Sequence, residues 1–201
     1  MLVLGDSLSH GTGDPTGRGY AGDVAGALGK RGPVESVNLA VAGAESSDLR
    51  GLIESANVRS LAANADVILF SVGGNDLSHS LSGAAVPAQA LSSVTDARGR
   101  FAANLRSILM ELRRANPSAP IRVLGLYQPF SGEGREARVG ESIVLGWNSI
   151  LAETALGYPN VVMVPVFDLF AGRPDRLASD RFHPNREGYR AIADRVIQTL
   201  P

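Results

Sequence analysis

Short runs of β-prone apolar residues alternate with helix-spaced stretches along the whole chain, and this alternation restricts the fold more than any other feature. The runs are Leu2–Gly5, Glu35–Ala40, Asp66–Val72, Ile121–Tyr127 and Val161–Val166. Between and after them lie segments of helical spacing: Tyr20–Lys30, Ser47–Ala62, Ala97–Ala115, Val139–Leu156 and Asn185–Leu200. Strands joined by helices of this length make βαβ units, in which the strands run parallel. In Val67-Ile68-Leu69-Phe70 every position is apolar, so both faces of that strand need cover, and helices on both sides of a sheet supply it. The expectation is one α/β domain over residues 1–201, with no internal repeat and no shift in composition that marks a boundary.

Two stretches interrupt the pattern. Ser78–Thr95 is uncharged and rich in Ser, Ala and Gly, and reads as a long loop or loosely helical flap. Ser131–Arg138, "SGEGREAR", reads as a polar loop. Long loops in a compact domain often serve as lids.

In open parallel sheets, ligands bind beyond the carboxyl ends of the strands, so the residues after each run carry the functional information. Gly5-Asp6-Ser7 follows the first run, "VAGAESS" with Gly43 the second, and Gly73-Gly74-Asn75-Asp76 the third. A hydroxyl, a flexible glycine and a carboxamide therefore share one edge of the sheet. A base has to come from His10, His79 or His183. His183 lies in "DRFHPNREGY", three residues after Asp180, where one tight turn can aim the carboxylate at one ring nitrogen and leave the other free. Pro184 stiffens that turn, and Asn185 is placed to cap the last helix.

Each piece alone has a structural alternative. Gly, Asp and Ser are ordinary turn formers, and a glycine after a strand often serves a backbone conformation. An isolated Asp-x-x-His is commonly a surface turn. Their fixed order, each at a strand end, favours a shared site.

Other motifs fail on inspection. Gly5 and Gly11 have the wrong spacing for a phosphate loop, which also needs a lysine, and "GTGDPTGRG" has no strand directly before it. Ser9 stands where a Gly-x-Ser-x-Gly elbow needs its second glycine. Asp6, Asp76, Asp180 and His183 are metal-ligand types, but turn or support roles explain Asp6 and Asp76, so no metal is expected.

Composition narrows the partners. The 19 basic and 20 acidic residues leave a net charge of −1, which gives no field to draw nucleic acid or an anionic membrane. Without cysteine there is no thiol nucleophile, disulfide or thiolate metal site, and the chain suits reducing or oxidising surroundings equally. No uncharged apolar run reaches the ~18 residues of a membrane-spanning helix, so no stable membrane insertion is expected. No signal peptide is recognisable, but Met1 abuts the first strand, so a leader cleaved upstream stays open and the compartment is unassigned. Oligomeric state is not legible.

The four blocks Gly5-Asp6-Ser7-Leu8, Gly43 in "NLAVAGAES", Gly73-Gly74-Asn75-Asp76 and Asp180-Arg181-Phe182-His183-Pro184 resemble those of the SGNH hydrolases, the GDSL esterases and lipases. They span nearly the whole chain. The flanking "YQPF", "WNSIL", "PVFDLF" and "HPNREGYRAIADRV" are most similar to the bacterial branch of thioesterase I, lysophospholipase L1 and spore-germination lipases.

The resemblance implies a three-layer α/β/α sandwich around a five-stranded parallel sheet in flavodoxin-like order. It implies Ser7 as nucleophile, His183 as general base and then acid, and Asp180 as the holder of the imidazole tautomer. The backbone N–H groups of Ser7 and Gly43 and the side-chain amide of Asn75 would bind the oxyanion. Asp6, Gly74, Asp76 and Asn148 are expected as supports, and no cofactor is implied.

The implied substrate is a small-molecule carboxylic ester, with a short or medium acyl chain or a lysophospholipid-like lipid, cleaved through an acyl-enzyme on Ser7. Thioesters, an acetylated carbohydrate and acyl transfer to another alcohol suit the same residues. Two alternatives lie outside catalysis: a ligand-binding relative without turnover, and a flavodoxin-like nucleotide binder, which would lack its phosphate loop. The small-residue segment "LSGAAVPAQAL" either covers an acyl chain or links helices through solvent.

Overall fold

Five short strands lie parallel in one sheet in the computed structural model, which describes residues 1–82, 87–129 and 134–201. They are β1 (Leu2–Gly5), β2 (Val37–Asn38), β3 (Ile68–Ser71), β4 (Ile121–Leu124) and β5 (Val161–Val164). The order is β2-β1-β3-β4-β5, the flavodoxin-like arrangement. Leu2 stands beside Ile68, Ile68 beside Ile121, and Ile121 beside Val161. Starting level, the four longer strands also end level, with Gly5, Ser71, Leu124 and Val164 along one edge.

Alternation along each strand builds the two outer layers. Leu2, Leu4, Ile68, Phe70, Ile121 and Val123 face a core closed by α3 (Ser46–Ile53), α4 (Ala56–Ala63), α6 (Pro87–Ala115) and α7 (Arg135–Leu156). Val3, Leu69, Leu124 and Val164 face the other way, against Tyr20 and Val24 of α2 (Gly19–Leu28) and Tyr189, Ile192 and Val196 of the C-terminal helix Arg186–Thr199. Three short helices sit at the carboxyl edge: α1 (Ser7–His10), α5 (Gly74–Leu81) and α8 (Phe167–Phe170). The C-terminal helix is accordingly α9.

Several elements differ from the sequence expectation. The single helix expected over Ser47–Ala62 is two, because Glu54 ends the first and the Ser55 hydroxyl caps the second by accepting the Val58 N–H at 3.4 Å. A side chain that satisfies an orphan amide makes a new helix start there favourable. Of the two readings of Ser78–Thr95, loop or loosely helical flap, the described residues follow the helical one: α5 runs to Leu81 and α6 starts at Pro87. Residues 83–86 of that segment, and 130–133 around the expected polar loop, lie outside the described residues. Helix α7 begins at Arg135, four residues ahead of the expected Val139. The second strand is only Val37–Asn38, a solvent-exposed edge paired with β1 alone.

Candidate active site

Gly5 ends β1 at φ 114°, where a Cβ would fall 2.0 Å from the Ser71 carbonyl oxygen. Only glycine lets β1 and β3 approach so closely before the chain turns. Asp6 makes that turn into a helix start, its Oδ1 accepting the Leu8 N–H at 3.1 Å. Ser7 is therefore the first residue of α1, at the carboxyl end of a central strand.

Beneath it lies a buried polar chain. The Ser71 hydroxyl donates to Asp6 Oδ1, the Ser9 N–H donates to Ser71 Oγ at 3.0 Å, and the Ser9 hydroxyl lies 2.7 Å from that of Tyr20. Burial raises the Asp6 carboxyl above its ordinary value, against the lowering pull of the Ser71 and Leu8 hydrogen bonds.

His183 reaches Ser7 from the far end of the chain. Leu177 and Pro184 form an antiparallel bridge, and the Ala178 N–H donates to the His183 carbonyl at 2.8 Å, closing a tight reversal. Within it Asp180 Oδ1 accepts the N–H groups of Phe182 at 2.9 Å and His183 at 3.0 Å. Its other oxygen lies 2.7 Å from His183 Nδ1, and His183 Nε2 lies 3.0 Å from Ser7 Oγ. Burial alone would raise the Asp180 carboxyl, but these hydrogen bonds and the His183 charge outweigh it and hold it below the usual range. Asn185 accepts the N–H groups of Glu187 and Gly188, the expected cap of α9.

Sequence reasoning did not single out the outer supports of this turn. The Tyr127 hydroxyl donates to the Phe182 carbonyl at 2.6 Å while its ring stacks on Phe170 at 4.0 Å. The Tyr189 hydroxyl donates to the Thr12 carbonyl at 2.7 Å, tying α9 to the loop after Ser7. "YQPF" and "PVFDLF" carry the family resemblance, but nothing local to either segment points to the other. Stacked aromatics 43 residues apart leave no local pattern to read.

Asn75, on the first turn of α5, lines the same cavity as Ser7 and His183. Its amide donates one hydrogen to the Ala44 carbonyl at 2.9 Å and keeps the second. Gly43, at φ 86°, lines a neighbouring hollow with Gly5 and Ala44, one residue before the Ala44 carbonyl that the Asn75 amide holds. In the α1 turn the Leu8 and Ser9 N–H groups go to Asp6 and Ser71. Among the described residues the N–H groups of Ser7 and Gly43 have no acceptor.

Asp76 faces away from the cavity and accepts both the N–H of Ser46, at 3.0 Å, and its hydroxyl. Burial raises the Asp76 carboxyl, and the two Ser46 hydrogen bonds oppose that. Farther along α5, His79 pairs with Glu45 at 2.6 Å. His10 is exposed and contacts Thr12. Gly74 lines the cavity with room for a Cβ, the nearest atom being Leu126 Cδ2 at 3.9 Å. Asn148 clamps Leu126 in both directions, accepting its N–H at 2.6 Å and donating to its carbonyl at 2.9 Å.

The cavity encloses about 450 Å³ with largely apolar walls, among them Leu77 and Leu81 of α5, Leu126 and Pro129 after β4, and Ile143 and Val144 of α7. Ser7 and His183 are part of the same wall. Among the described residues no three His, Asp or Glu side chains converge as metal ligands, and no helix is long and apolar enough to cross a membrane.

YpmR of Bacillus subtilis (strain 168) is 32% identical over 206 residues, covering 100% of this chain and 80% of that protein. The spore germination lipase LipC of Bacillus licheniformis is 26% identical over 168 residues, covering 81% of this chain and 76% of its own. The lipase Lip_vut3 from a goat rumen metagenome superposes with a TM-score of 0.88 at 23% identity, over 98% of this chain and 95% of that one, a likeness of fold. Residues 3–191 match the GDSL-like lipase/acylhydrolase family, and the chain belongs to that family.

Proposed function

We propose that the protein is a carboxylic ester hydrolase acting through an acyl-enzyme on Ser7. The observation that carries this reading is the unbroken contact from Ser7 Oγ through His183 to Asp180, 3.0 Å and 2.7 Å, with Ser7 and His183 lining a largely apolar cavity. As Ser7 Oγ attacks the ester carbonyl carbon, its proton passes to His183 Nε2. Asp180 holds the Nδ1 proton and stabilises the imidazolium. The carbonyl oxygen becomes an oxyanion, met by the Ser7 and Gly43 N–H groups and the spare Asn75 amide hydrogen. Collapse breaks the bond to the alcohol, which leaves with the proton from His183. Water then repeats the sequence, releasing the acid and Ser7.

The substrate side follows from the walls. An acetyl group would occupy a small part of about 450 Å³, whereas a medium acyl chain buries methylenes at roughly 0.8 kcal/mol each. This favours acyl esters over acetylated carbohydrates.

The test is hydrolysis of p-nitrophenyl esters from acetate to palmitate by wild type and Ser7→Ala, with fluorophosphonate labelling. The expected result is a medium-chain optimum, labelling at Ser7, and loss of at least about 10⁴ in turnover on substitution. An optimum at acetate would select the acetyl-esterase alternative. Neither turnover nor labelling would select a binding protein.

A further inference from the structure

We infer that Arg181 forms an anion subsite for the leaving alcohol of the substrate, selecting esters whose alcohol carries a phosphate group. The inference rests on the esterase reading above and adds a second recognition element to it.

Arg181 lies at the crest of the Asp180–His183 turn with φ 55°, a left-handed conformation that favours Gly or Asn. The turn imposes this backbone, with the Arg181 N–H donating to the Ala178 carbonyl at 2.9 Å. A glycine would satisfy the turn, so a long cationic side chain here points to a role for the side chain itself.

Among the described residues the guanidinium is also unmatched. Nearby Arg173 pairs with Asp175 at 2.7 Å, and Arg186 pairs with Asp14 at 3.2 Å. Among the described residues Arg181 has no carboxylate partner. Asp175 is engaged by Arg173, and Asp180 by His183.

Its position fits the chemistry. Arg181 lines a polar hollow with Asp175 and Ser179, and Pro129 stands on the wall of both this hollow and the apolar cavity. Phe182 and His183 line the apolar side, so the turn divides the two spaces. The acyl chain lies on the apolar side. The leaving oxygen has to sit at His183 Nε2 to receive its proton, so the rest of the alcohol continues past the turn, toward Arg181. A guanidinium there meets a phosphate with directed N–H donors.

The test compares kcat/KM for 1-octanoylglycerol and 1-octanoylglycerol 3-phosphate at low salt. Wild type is expected to prefer the phosphate ester by about tenfold, the size of one partly exposed charge-assisted contact. About 0.5 M salt should reduce that preference. Arg181→Gln and Arg181→Gly should abolish it, and Arg181→Lys should keep part of it. Arg181→Gly should melt at or above wild type, which separates lost recognition from lost folding. An equal substrate ratio in wild type and Arg181→Gln overturns the subsite and leaves the esterase reading intact. Calorimetry with glycerol 3-phosphate gives a readout free of turnover. If neither ester is cleaved and fluorophosphonate does not label Ser7, the esterase reading fails; without cleavage the subsite stands only if wild type binds this probe and Arg181→Gln does not.

Discussion

Asp76 accepts two hydrogen bonds from Ser46, one from its backbone N–H at 3.0 Å and one from its hydroxyl. Ser46 is the first residue of α3 and Asp76 lies next to Asn75, so this contact joins the segment carrying Gly43 and Ala44 to the helix carrying Asn75. The Asn75–Ala44 and His79–Glu45 contacts stand on either side of it. The proposed oxyanion donors are thus held at a fixed spacing by contacts outside the cavity.

Replacing Asp76 with Asn exchanges one acceptor for a donor that faces the Ser46 donors. We expect kcat to fall about tenfold with KM within about twofold, because a small displacement of an oxyanion donor acts mainly on the transition state. An unpaired buried donor also costs about 1–3 kcal/mol, and Tm should drop by about 2–4 °C per kcal/mol. Steady-state kinetics on a p-nitrophenyl ester and a thermal melt check both. A lowered Tm with unchanged kcat would make Asp76 a purely structural residue.

Asn75→Ala removes the donor itself. Turnover should fall by about 10²–10³ while KM changes little, the pattern for an interaction made in the transition state alone. An unchanged kcat would remove Asn75 from the oxyanion site.

The raised Asp6 carboxyl predicts a pH-dependent stability. Its folded value lies above the ordinary carboxylate value, so the folded state favours the protonated form. Its contribution is fully present below the unfolded value and is lost as pH rises through the folded one. Asp6→Asn keeps an oxygen acceptor for Leu8 and Ser71 and carries no charge. It should therefore melt above wild type at pH about 7, with the difference closing as pH falls toward about 4. Melting curves across that interval decide the matter, and a gap independent of pH would contradict the assignment.

Gly140 of α7 lines the cavity, and a Cβ there would approach the Gln128 side-chain amide at 3.3 Å. Gly140→Val should fill part of the acyl space and shift the p-nitrophenyl ester optimum toward shorter chains. The mid-helix change from Gly to Val should not weaken α7 itself, since Gly is the poorer helix former. An unaltered chain-length profile would place the acyl chain elsewhere.

Much of this was legible in the sequence where the cause is local. The runs around Leu2–Gly5 and Ile68–Phe70 declare a doubly covered sheet because every position is apolar. Asp180 and His183 are three residues apart, so their turn can be read from residue type, as can the Asn185 cap. The flavodoxin-like sheet order came from the family resemblance, and the structure has it. Element ends were less legible. Ser55 splits one expected helix by a single side-chain cap, and Pro87–Thr95, whose composition suits a loop or a loosely helical flap, is part of a 29-residue helix.

The supports of the site belong to tertiary structure. Tyr127 holds the Phe182 carbonyl across 55 residues, Asp76 holds Ser46 across 30, and Ser71 reaches Asp6 across 65. Hydrogen bonds of that kind have no sequence period and form only once the sheet brings its strand ends level. Neighbouring residue types set the alternation that buries both sheet faces, the blocks at the strand ends, and the local turn that pairs Asp180 with His183. The 3.0 Å approach of His183 to Ser7, 176 residues away, has no local cause: packing α2 and α9 on the same sheet face brings the two ends of the chain together.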